Sequence, residues 1–102
     1  MGLLTDELRA RLPPRHGQEA EADPIVYCRY FLPGTSLAWY PIEGQPDGDD
    51  YLFFGFAAGP DDFRSFRLSE LESVRGPNGS RIERDQVFCQ GRLTDVVPAP
   101  DS

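Results

Sequence analysis

Apolar and polar positions change their spacing several times along this chain. Leu4, Leu8 and Leu12 recur at helical spacing, with Thr5 placed as a cap, Asp6 and Glu7 in the first turn and Arg9 and Arg11 further on. This predicts a short amphipathic helix that Pro13-Pro14 terminates. The polar stretch 15–23 predicts a loop. Residues 25–32 are β-branched and aromatic with neither face strongly polar, which predicts a central strand. Pro33-Gly34 marks a turn, and 36–42 a second strand in which Pro41 favours an edge or a strand end. A Gly/Pro/Asp loop is expected over 43–50. Residues 51–58 form the most apolar run, a buried strand with Gly55 permitting a bulge or a close approach. Gly59-Pro60-Asp61-Asp62 then turns the chain into a fourth strand over 63–68.

The next segment, 68–77, reads as a capped helical turn. Ser69 and Glu72 have the spacing of a capping box, and Gly76-Pro77 supplies a stop. An Asn78-Gly79 turn leads into a last strand over about 81–89, and 94–102 reads as a loose tail. The expected fold is α+β, a single domain over 1–93. It has an antiparallel, meander-like sheet of about five strands, an N-terminal helix and a short helix before the last strand. No internal repeat stands out.

Composition narrows the chemistry. At 102 residues, 39% hydrophobic and 12% aromatic, the chain can build one core. No apolar run approaches the roughly 20 residues that span a bilayer, and no signal segment opens the chain, so a cytoplasmic location is expected. Cys28 and Cys89 lack metal-site spacing and are expected to be reduced and buried. All ten basic residues are Arg, which removes Schiff-base lysines and phosphate-loop lysines from consideration. Net charge is −7, and it is concentrated: 19–62 holds nine acids against one arginine, a net of −8. In a meander, Glu19, Glu21, Asp23, Glu43, Asp47, Asp49 and Asp50 would gather at one end near Glu70 and Glu72, with Asp61 and Asp62 opposite.

Any one of these acids is ordinarily a solvated surface group. As a set they point to a surface that mimics a phosphate backbone, or to carboxylates converging on a divalent metal. Asp47-Gly48-Asp49-Asp50 lacks EF-hand spacing, and no metal is assigned. Glu83 and Asp85 would share one face of the last strand and, with Glu72 or Glu43, could serve a Mg- or Mn-dependent nuclease. An ion-pair ladder with Arg81, Arg84 and Arg67 is the preferred account of them. His16, the single histidine, reads as a surface residue. Trp39, Tyr40, Tyr27, Tyr30 and Phe31 could stack bases but belong mostly to a core, and the acidic balance disfavours direct nucleic-acid binding.

Several runs also resemble a known family: Leu3-Leu4-Thr5, Leu12-Pro13-Pro14, Trp39-Tyr40, Phe53-Phe54-Gly55, residues 68–76 and Ile82-Glu83-Arg84-Asp85. Together they are similar to the short bacterial domain-of-unknown-function family DUF 2958, over nearly the whole chain to about Leu93. The chain departs from it in a shortened stretch around 56–65 and in Cys89-Gln90-Gly91. The resemblance implies an origin on plasmids, integrative elements and phages. It carries over no catalytic residues. The expected function is a non-enzymatic accessory protein whose acidic end binds a basic, nucleic-acid-handling protein, without a cofactor. The alternative is a single-strand endonuclease using Glu72, Glu83 and Asp85.

Overall fold

The computed structural model describes residues 3–14, 16–18 and 21–97. Helix α1 spans Asp6–Arg11, and Thr5 caps it through its hydroxyl oxygen, which accepts from Leu8 N at 3.1 Å. Leu8 and Leu12 are buried, and Leu12 already has extended backbone ahead of the two prolines.

The sheet is built around one long hairpin. Strand β3 (Ala38–Asp47) pairs with β4 (Asp50–Ala58) from Ala38↔Ala58 to Asp47↔Asp50, around a two-residue turn in which Gly48 takes φ +62°. Residues 43–47, expected as loop, are therefore strand. The apolar alternation of β4 recruits them as its partner despite their Gly/Pro/Asp composition. Pro41 lies inside this strand and not at its end. Its missing N–H is tolerated because the register shifts between Pro41 and Glu43, and its carbonyl accepts from Tyr27 N at 3.2 Å. Opposite it, a Cβ on Gly55 would stand 2.2 Å from the Tyr40 carbonyl oxygen, which is the close approach the sequence suggested.

Strand β5 (Asp62–Arg67) extends the meander on one edge. On the other side come β2 (Tyr30–Phe31) and β6 (Glu83–Arg84), giving the antiparallel order β5-β4-β3-β2-β6. The expected long first strand is two pieces. Ile25–Val26 (β1) leaves the main sheet to pair with β7 (Gly91–Arg92), and only Tyr30–Phe31 joins it. The break follows the packing. Val26 belongs to one apolar cluster, with Ala38, Tyr40 and Ile42, while Cys28, Tyr30 and Leu32 belong to the other, with Phe53, Phe66 and Leu71. The change from one cluster to the other falls between Val26 and Cys28.

Helix α2 (Leu68–Ser73) covers the first face. Leu71 is 2% exposed and Leu68 and Val74 pack beside it. A turn with left-handed Asn78 and Gly79 leads to β6. The strand expected over about 81–89 is only two residues long, β6, because residues 85–88 turn away from the sheet. Residues 94–96, expected as the start of a tail, instead complete a helical turn, α3 (Leu93–Val96), against the second cluster. Cys28 is buried as expected, whereas Cys89 is exposed, and both are free thiols.

Candidate binding surface

The acids that the sequence grouped at one end occupy three different settings. Glu43 is 1% exposed and lies inside the protein. Its carboxylate accepts from His16 N (2.8 Å) and Gln18 N (2.9 Å), while the Gln18 side chain donates to the carbonyls of Ile25 and Ile42 and accepts from Ile25 N. Burying a carboxylate is costly unless its oxygens are satisfied, and two amides meet that requirement here. Glu43 therefore holds the 16–18 loop to β3 and does not face a partner. Gln18 completes this arrangement. Nothing in its sequence context singled it out, apart from its lying in a polar loop.

The second setting is the hairpin turn. Asp50 accepts from Ser69 N (3.1 Å) and the Ser69 hydroxyl, and from Tyr51 N (2.8 Å). These bonds, the Ser69 hydroxyl first, hold its carboxyl below the ordinary value. Asp47 pairs with Arg67. The capping pattern is thus displaced from the one expected. Arg67 is the N-cap residue, its N–H donates to Glu70 Oε1 at 2.8 Å, and Ser69 is the second residue of the helix, bonded to Asp50 and not to Glu72. Asp49 stands exposed at the turn.

The third setting repeats the second. Asp23 accepts from Thr94 N (3.0 Å) and the Thr94 hydroxyl (2.7 Å) at the start of α3, and Glu21 lies 3.5 Å from Arg92. The Thr94 hydroxyl is again the first cause of a lowered carboxyl pKa. Arg67-Leu68-Ser69 and Arg92-Leu93-Thr94 are therefore the same device. An Arg is held by one acid, and the following Ser or Thr amide and hydroxyl by a second acid two or three residues on. Glu19, the remaining member of the expected set, lies outside the described residues. Asp61 and Asp62 sit at the β4–β5 turn, at the other end of the hairpin, where Asp62 pairs with Arg64 at 3.6 Å.

The carboxylates of the nuclease alternative do not come together. Among the described residues no three His, Cys, Asp or Glu side chains form a group able to hold a metal ion. Glu72 and Glu83 are exposed. Asp85 turns to Arg29, pairing at 3.3 Å, and accepts from Val87 N at 3.1 Å. The expected ladder with Arg81, Arg84 and Arg67 is replaced by this single pair, because the chain leaves the sheet after Arg84. His16 is exposed, in a left-handed conformation with φ 74°.

On the second face, loop residues and β3–β5 enclose a groove of about 350 Å³ lined by Gln18, Glu21, Ile42, Glu43, Phe54 and Phe63. Phe63 is 42% exposed, stacked at 6.1 Å on Phe54 and edge-on at 5.5 Å to Phe56. The aromatic residues Tyr30 and Tyr40 are buried, so the base-stacking set named from the sequence is largely core. Among the described residues no helix is long and apolar enough to cross a membrane.

Fold and surface together define a small α+β domain in which two short helices, α2 and α3, are anchored by carboxylates remote in sequence. The chain belongs to the family described as Protein of unknown function (DUF2958), which matches residues 3–97. No curated protein and no solved structure matches it.

Proposed function

We propose that this chain is a non-enzymatic accessory protein of a mobile genetic element, acting in the cytoplasm. Its acidic surface would occupy the basic, nucleic-acid-binding groove of a host defence or DNA-handling protein, in the manner of an anti-CRISPR or anti-restriction factor. The observation that carries the reading is the charge excess: nine acids against one arginine over 19–62, in a chain of net −7. Exposed Asp47 and Asp49 at the hairpin turn, with Glu70 and Glu72 on α2, supply the outward-facing part of that surface. Glu43 and Asp50 serve the fold and are left out of it. A partner of opposite charge would associate quickly and with steep salt dependence.

Purified CRISPR effectors, restriction complexes and relaxases are the panel to test. Binding that weakens as salt rises, competes with double-stranded DNA and falls in Asp49→Asn/Glu72→Gln supports the reading. Asp47 and Asp50 are left intact in that variant so that α2 stays docked. Binding to no basic partner, or binding indifferent to both substitutions, would overturn it. Mg²⁺- or Mn²⁺-dependent cleavage of single-stranded DNA, lost in Glu83→Gln, would replace it with the nuclease alternative.

A further inference from the structure

The five-stranded sheet has two edges, and they are built differently. At β6 the edge is two residues long, and the chain turns away after Arg84. At β5 it is six residues long, all but Phe66 are exposed, and no strand pairs with its outer side among the described residues. The phase of the ladder sets what that side offers. The two-residue turn closed by Asp47↔Asp50 directs the backbone groups of Gly55 to β5, where Arg64 is its partner. Arg64 therefore bonds inward, and Phe63 and Ser65 turn their N–H and C=O outward. Arg67 agrees with this phase, since its N–H donates to Glu70 Oε1 and not to β4. An open row of such groups is a template for a further strand.

The side chains of β5 suit one strand in particular, its own copy. Residues opposite each other in an antiparallel pair share a face. With a two-fold axis at Phe63, Asp62 of each copy stands opposite Arg64 of the other, and the two Phe63 side chains meet. An axis at Asp62 would oppose two aspartates, and one at Arg64 two arginines, both unfavourable. Within the chain Asp62 and Arg64 pair at 3.6 Å with both side chains largely in water, so re-pairing across the axis breaks nothing buried. Phe63, 42% exposed beside Phe54 and Phe56, carries an aromatic stripe to this edge, and a second Phe63 continues it.

We propose that β5 is the contact of a homodimer, in which two copies pair about Phe63 and one antiparallel sheet runs through both. Each copy uses the same patch, so the assembly closes at two. The contact lies at the opposite end of the β3–β4 hairpin from Asp47 and Asp49, and neither reading depends on the other.

Sedimentation of the full chain at about 0.15 M salt, where repulsion between two chains of net −7 is screened, tests this. An edge of this length is a small interface, so a monomer–dimer equilibrium in the micromolar-to-millimolar range is expected. Asp62→Arg and Arg64→Asp should each weaken it about tenfold, since every change appears twice across the axis. The exchange Asp62→Arg/Arg64→Asp restores the opposite pairs and should return the original dissociation constant. Phe63→Cys in a Cys89→Ser background should oxidise to a disulfide-linked dimer, and it decides alone if the charge variants do not fold. Five results would each overturn the proposal: a monomer at every concentration, a dimer indifferent to both single substitutions, no recovery in the exchange, no cross-link at position 63, or growth beyond two copies.

Discussion

Helices α2 and α3 begin with nearly the same three residues and are each anchored by a pair of acids, yet they differ in what lies behind them. At α2, Arg67 meets Asp47 and Ser69 meets Asp50; at α3, Arg92 meets Glu21 and Thr94 meets Asp23. Behind α2 stands Leu71, 2% exposed against Phe53, Phe66 and Tyr30. Behind α3, Leu93 and Val96 are only part-buried, and no residue of the helix is fully buried. A six-residue or four-residue helix cannot hold itself together by propensity. Remote carboxylates supply the orientation of both, and burial decides how much each matters to the fold.

The largest effect should fall on the buried member. Leu71→Ala should cost about 2–5 kcal/mol, whereas Leu93→Ala should cost less, since its side chain is already partly in water. Equal losses in urea unfolding would erase the distinction between the two helices. Next in size, paired substitutions would measure the two anchors: Asp50→Asn with Ser69→Ala, and Asp23→Asn with Thr94→Ala. In each pair the double variant should lose less than the sum of the singles, because the two residues act through one contact. Additive losses at either helix would mean that its carboxylate does not hold it in solution.

Acidity probes both anchors together. Asp23 and Asp50 have folded pKa values lowered from 3.8, so the stability they contribute is present above the unfolded value. It is lost as pH falls below about 4 through the lowered folded values. The amide resonances of Ser69 and Thr94 should follow that titration, with midpoints below 3.8; a midpoint at or above 3.8 would show the anchor to be open. The smallest effect is kinetic. Cys89 should react with a thiol reagent at once, and Cys28 only through opening of the first-face core. Leu71→Ala should speed Cys28 labelling and Leu93→Ala should leave it nearly unchanged; the reverse order would reassign the core.

Much of the fold could be read from local pattern. The Thr5 cap, the buried run of β4, the close approach at Gly55 and the Asn78-Gly79 turn each depend on residues near in sequence, and each formed where expected. The capping box of α2 shows where such reading stops. Ser69 and Glu72 had the right spacing, but spacing cannot show that Asp50, 19 residues away, would take the Ser69 amide and hydroxyl and leave Arg67 as the cap residue. The acidic stretch shows the same limit. Carboxylates look alike in sequence, and only their neighbours separate a buried anchor such as Glu43 from an exposed group such as Asp49.

The sequence by itself determined the α+β class, the antiparallel sheet, the starts of α1 and α2 to within a few residues and the acidic balance. Those properties follow from periodicity, turn chemistry and composition, which act over a few residues or over the whole chain. Tertiary structure alone decided which carboxylates became internal ligands and where the first strand broke to serve two clusters. Those outcomes depend on contacts between residues as far apart as Asp23 and Thr94, 71 positions in the chain. The free energy of such a contact is set by the geometry and desolvation of both groups together, and neither exists until the chain has folded.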